Sequence, residues 1–116
     1  MEERTTYYEI KHWNLELVFD SCRSRLGHNI DWSYAGIISE GYNDYEANFE
    51  LPIEKLMLAV VCLILTGGWY PNLVDYFTKQ ATNILLENSL DNLLLDVPLE
   101  EANEFLQDLR ILKLIN

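Results

Sequence analysis

Two histidines, two cysteines and 19 carboxylates are the side chains here that could do chemistry, and their spacing decides which chemistry. His12 and His28 fall at opposite ends of one expected helix. Neither stands three or four residues from a cysteine or aspartate in a closed ligand set, so no metal centre is expected. His12 and Glu16 are four apart, a spacing common by chance. Cys22 with either histidine would be the only Cys–His pairing, and an active thiol needs an electropositive, partly exposed setting. Arg23 and Arg25 bring charge nearby, but residue 22 lies on an apolar stripe. Cys22 and Cys62 therefore read as reduced, buried small hydrophobes. Glu100-Glu101 begins a helix, where the dipole alone explains paired acids. No acid stands isolated in an apolar run, the setting that would raise its pKa for acid catalysis. Gly67-Gly68 lacks the following Lys-Ser/Thr of a phosphate loop. The residues predict no catalytic set, no cofactor and no metal, hence no enzyme.

Charge carries more information. The chain has 8 basic residues against its acids, a formal net charge of -11, and the acids run through both halves. Such a surface repels nucleic-acid phosphates and anionic membrane and attracts basic proteins. Direct nucleic-acid binding and membrane association are not expected. The stretch Glu40-Gly41-Tyr42-Asn43-Asp44-Tyr45-Glu46-Ala47-Asn48-Phe49-Glu50 interleaves four carboxylates with three aromatic rings and contains no basic residue. Its lack of a sustained apolar period predicts mostly loop. Aromatic rings are enriched at interface hot spots, and carboxylates steer and pair with a partner's Arg and Lys. Glu40, Tyr42, Asp44, Tyr45, Glu46, Phe49 and Glu50 are accordingly the candidate partner-binding residues. The competing expectation is that the rings fold down to roof the core and leave the acids outside. Tyr7, Tyr8 and Trp69-Tyr70 pose the same choice, with core packing favoured for Trp69.

These residues need a scaffold, and one stretch organises it. Leu56-Met57-Leu58-Ala59-Val60-Val61-Cys62-Leu63-Ile64-Leu65 holds no charged or polar side chain. Pro52 suits a first helical position and Gly67 a helix end. A helix over 52–66 follows, apolar all round and so covered on all sides. It is too short for a membrane span, which needs about 20 residues. Before it, Thr6 and Glu9 form a capping box, and Tyr7, Ile10, Trp13, Leu17, Cys22 and Leu26 predict a helix ending at Gly27. Residues 31–40 read either as a helix capped by Asp31 or as a short strand through Gly36-Ile37-Ile38-Ser39. After the Gly67–Pro71 turn, a helix carries Leu73, Tyr76, Phe77, Ala81, Ile84 and Leu85 inward. Ser89 caps a short helix with Leu90, Leu93 and Leu94. Pro98 starts the last, with Leu99, Ala102, Leu106, Leu109 and Leu112 facing in. Glu100, Glu101 and Glu104 near its start and Arg110 and Lys113 near its end suit its dipole. Repeats, linkers and low-complexity tracts are absent. The expectation is one all-α domain over 1–116, an irregular bundle of five or six helices around the central one. Reduced cysteines and the lack of a visible secretory signal point to the cytoplasm.

The run Glu54-Lys55-Leu56-Met57-Leu58…Leu65-Thr66-Gly67-Gly68-Trp69-Tyr70-Pro71 resembles an all-α family of bacterial immunity proteins with a similar Gly-Gly-Trp turn after a buried helix. These antitoxins serve contact-dependent growth inhibition and other polymorphic toxin systems. The similarity extends to the acidic final helix ending Phe105…Asp108-Leu109-Arg110. The resemblance implies a tight toxin–immunity complex with a cognate toxin C-terminal domain. That domain is basic and often a nuclease, an RNase or DNase. The chain would inhibit it by covering its substrate-binding surface with acids and rings. The alternative of another class is an acidic adaptor or regulatory subunit docking a host protein. Genetic neighbourhood separates the two, because an immunity gene lies directly downstream of its toxin gene. A third reading, a small hydrolase, would need a buried carboxylate or an exposed reactive thiol.

Overall fold

The computed structural model describes residues 6–12, 42–43, 46–47, 49–66 and 71–116. Among these, five helices follow in order: α1 (Tyr7–Lys11), α2 (Pro52–Thr66), α3 (Pro71–Glu87), α4 (Leu90–Leu93) and α5 (Leu99–Ile111). No strand occurs among the described residues. The Cα radius of gyration, 14.0 Å, is close to the ~13 Å of a compact chain of about 100 residues. None of the described helices is long and apolar enough to cross a membrane.

The uncharged run forms α2 with the boundaries its proline and glycine predict. Leu51 provides the N-cap carbonyl to Lys55 N–H at 3.2 Å. Glu54, at the third helical position, reaches back to accept Leu51 N–H at 3.2 Å. That reciprocal bond explains how a carboxylate comes to be buried at the end of an apolar helix. Leu56 to Leu63 are all buried. At the other end Thr66 is buried too, and its hydroxyl donates to the Cys62 carbonyl at 2.6 Å. The expected full cover fails at both ends, where Pro52 is exposed and Ile64 is 37% exposed.

α2 packs against α3, α1 and α5, and α1 also meets α5. α3 presents Leu73, Phe77 and Ala81 to the core, one residue per turn of a 3.6-residue period. Asn88 ends it by donating its side-chain amide to the Ile84 carbonyl at 3.0 Å. Ser89 then caps α4, its hydroxyl accepting Asn92 N–H at 3.2 Å.

Three expectations need correction. The first helix stops at Lys11 with His12 as its cap; its expected continuation through Gly27 and the segment 31–40 lie outside the described residues, as does the Gly67–Tyr70 turn. The stretch expected to be loop contains a helical turn: Tyr42, Asn43 and Glu46 have helical backbone, and Ala47 N–H donates to the Asn43 carbonyl at 3.1 Å. In α5 the inward stripe is Ala102, Phe105 and Leu109, while Leu99 is 76% exposed. Leu106 and Leu112 are only partly buried. Steps of three and four from Ala102 select Phe105 and Leu109, and Phe105 is the bulkiest group on that line. α5 closes in a Schellman motif, with Lys113 N–H on the Arg110 carbonyl and Leu114 N–H on the Leu109 carbonyl at 2.9 Å. Lys113 takes the left-handed position at φ 61°, which glycine usually fills.

Candidate functional site

The acidic aromatic segment divides into what faces in and what faces out. Tyr42 and Phe49 are buried, so these two rings belong to the core of the free protein rather than to an exposed contact surface. Glu46 is half-buried and Glu50 exposed. Glu40, Asp44 and Tyr45 lie outside the described residues. Tyr42 stacks edge-on against Phe77 at 4.9 Å and Tyr76 at 5.8 Å between ring centroids. Tyr76 in turn donates its hydroxyl to Asn43 Oδ1 at 2.8 Å. Rings and amide together pin the helical turn onto α3, with Glu46 half-buried beside Tyr42 and Glu50 exposed. The Tyr42 hydroxyl is buried without a hydrogen-bond partner among the described residues. Burial, reinforced by the charge of Glu46, pushes this phenol far above its ordinary range. Burial raises Tyr76 as well.

A second acidic group does different work. Glu101, Glu104 and Asp108 lie at i, i+3 and i+7 on α5, hence on one face. α1 takes up all three. Glu101 Oε1 accepts the Tyr7 N–H, an amide that the start of a helix leaves without a partner. Asp108 accepts the Tyr7 hydroxyl. Lys11 Nζ bridges Glu104 at 2.9 Å and Asp108 at 3.0 Å. The Tyr7 ring packs edge-on against Phe105 at 4.7 Å. Burial, then the bond to Asp108, drives the Tyr7 phenol well above its usual pKa. The hydrogen bond to Glu104 raises the Lys11 ammonium. Sequence reasoning assigned Glu100 and Glu101 to the helix dipole and missed this seam. The signal available was the acidic i, i+3, i+7 spacing beside Phe105.

Of the chemical candidates, Cys62 is a buried cysteine on α2. His12 is exposed, its ring against Tyr8 at 4.4 Å. Among the described residues no three His, Cys, Asp or Glu side chains gather to hold a metal ion. His28, Cys22 and Glu16 lie outside the described residues.

The third feature is concave. A cavity of about 240 Å³ opens between the start of α2, the α4–α5 corner and the cap of α1. Residues far apart in sequence line it, among them Thr6, Met57, Leu93, Val97 and Glu101. Leu95 and Leu99, which bracket its Asp96-Val97-Pro98 wall in the chain, are 78% and 76% exposed.

No protein-family model, curated protein or solved structure matches the chain.

Proposed function

We propose that the chain is an immunity protein, an antitoxin that binds a basic toxin domain with nuclease activity and covers its substrate-binding surface. The observation that carries the reading is charge: 19 acids against 8 bases on an all-α body. A nuclease must hold phosphates with cations, so its working surface is the complement of this one. Glu46 and Glu50, presented by the turn that Tyr42 and Phe49 anchor, fit the role of carboxylates meeting toxin Lys and Arg. With the two rings buried, Tyr42 and Phe49 act from beneath, fixing the acids in place. Glu40, Asp44 and Tyr45 complete the proposed surface. The resemblance of the α2 region and of α5 to all-α immunity proteins supports the same reading, as does the expected bundle of five or six helices in the cytoplasm. Inhibition in this scheme is steric and electrostatic, with no catalysis by the chain itself.

Joint replacement of Glu40, Asp44, Glu46 and Glu50 by alanine tests the surface. The expected result is slower association with the cognate toxin, the domain encoded directly upstream, and a weaker dependence of that rate on salt. Unchanged binding at both low and high salt would rule the surface out.

A further inference from the structure

The cavity at the α4–α5 corner has a consistent chemistry. Its floor is apolar, built from Leu51, Ile53, Met57, Leu93 and Val97. Its charged lining among the described residues is of one sign: Glu54, Asp96 and Glu101, with no lysine or arginine. Glu54 holds Leu51 N–H and Glu101 holds Tyr7 N–H, each through Oε1. Among the described residues the second oxygen of each carboxylate has no donor. Asp96 is exposed and has no hydrogen bond or ion pair among the described residues. A ligand that satisfies this arrangement needs an aliphatic stem for the floor and a cation with several spread donors for the rim. A guanidinium carries five N–H donors in a planar fork on a three-carbon stem, whereas an ammonium is a compact point charge.

We infer that this pocket receives an arginine side chain of a basic partner protein, the stem on Met57, Leu93 and Val97 and the guanidinium among Asp96, Glu54 and Glu101. The inference deepens the immunity reading and rests on it for the partner's basic character. It also gives exposed Leu95 and Leu99 a role as the apolar margin around the anchor, the arrangement in which a central arginine dominates binding.

Amide-resolved NMR titration of the full chain tests it with three blocked amino acids: N-acetyl-arginine amide, its neutral isostere N-acetyl-citrulline amide, and N-acetyl-norleucine amide. The arginine probe should shift the signals of Met57, Leu93 and Val97 before others, and bind at least about fivefold more tightly than citrulline, since its hydrogen bonds are charge-assisted. Asp96→Asn, a change at an exposed position, should weaken the arginine probe about fivefold and leave norleucine unaffected. Asn92→Trp, which places an indole over the cavity from an exposed lining position, should abolish the pocket shifts. Norleucine binding as well as arginine, or shifts scattered over the acidic surface and indifferent to Asp96→Asn, would overturn the inference. A toxin complex formed equally well by wild type and Asn92→Trp would overturn it while leaving the immunity reading standing. Arginine binding in the pocket, in a chain that does not bind its upstream neighbour, would have the opposite consequence.

Discussion

Tyr7 and Tyr42 are both fully buried rings in edge-on aromatic contacts, and they sit in opposite electrostatic settings. Around Tyr7, every nearby acid is occupied: Glu101 on its amide, Asp108 on its hydroxyl, Glu104 on Lys11. Around Tyr42, the hydroxyl has no hydrogen-bond partner among the described residues, Glu46 stands half-buried beside it and Glu50 is exposed. One region uses carboxylates as internal fasteners. The other uses a ring as an internal fastener and leaves its carboxylates out of that role. In a chain of net charge -11, that division separates acids engaged in holding the fold, of which Glu54 and Glu101 also line the pocket, from acids that hold nothing within it among the described residues.

The comparison can be broken most sharply at Tyr7. Tyr7→Ala removes the ring from Phe105 and strands Asp108, and should cost about 3–5 kcal/mol in urea unfolding, the range for large aromatic truncations. Removing the hydroxyls alone sharpens it. Tyr7→Phe should cost about 1.5–3 kcal/mol, because the lost bond goes to a charged group. Tyr42→Phe should be neutral or stabilise by about 1 kcal/mol, because it deletes a buried hydroxyl that has no hydrogen-bond partner among the described residues. Equal losses in the two variants would erase the distinction.

Alkaline pH probes the same pair. Both phenols have folded pKa values raised above the ordinary value of about 10. Their contribution is complete below that value. It falls as pH rises above it, because the unfolded chain then ionises phenols that the native chain keeps protonated. Raised Lys11 acts in the same direction, holding its proton past the ordinary lysine range and losing its bridges as pH passes the raised value. Unfolding midpoints should decline above about pH 10. Phenolate absorbance should show at least two tyrosines, Tyr7 and Tyr42, titrating only on unfolding. Phenolate formation by all seven tyrosines in the native state would contradict the burial.

Smaller effects complete the series. Lys11→Met should cost under about 1 kcal/mol, since the ammonium is a third exposed and its bridges are screened, and the loss should shrink in high salt. Lys113→Gly should stabilise by about 0.5–1 kcal/mol by relieving a left-handed position, with no effect on binding.

Local signals made much of this fold legible. Thr6 and Glu9, Pro52, and Ser89 mark helix starts through bonds or geometry within four residues, and all three stand where expected. What escaped is non-local. The burial of Tyr42 depends on Tyr76 and Phe77, more than thirty residues on, and the fate of Glu101 depends on an amide 94 residues earlier. Leu99 was misplaced because leucine at helical spacing reads as core. A helix turn beside Pro98 can instead leave that side chain outside, and Phe105 fills the line it vacates. The pocket could not be anticipated at all, because its walls come from four separate stretches of chain.

The claim that inward and outward acids have separate duties is tested most directly by urea unfolding of Asp108→Ala beside Asp96→Ala. Asp108 takes the Tyr7 hydroxyl and a Lys11 bridge, so its loss should cost about 1.5–3 kcal/mol. Asp96 holds nothing among the described residues, and its removal should change stability by no more than about 0.5 kcal/mol. Equal costs for the two variants, or a larger one for Asp96, would contradict the division.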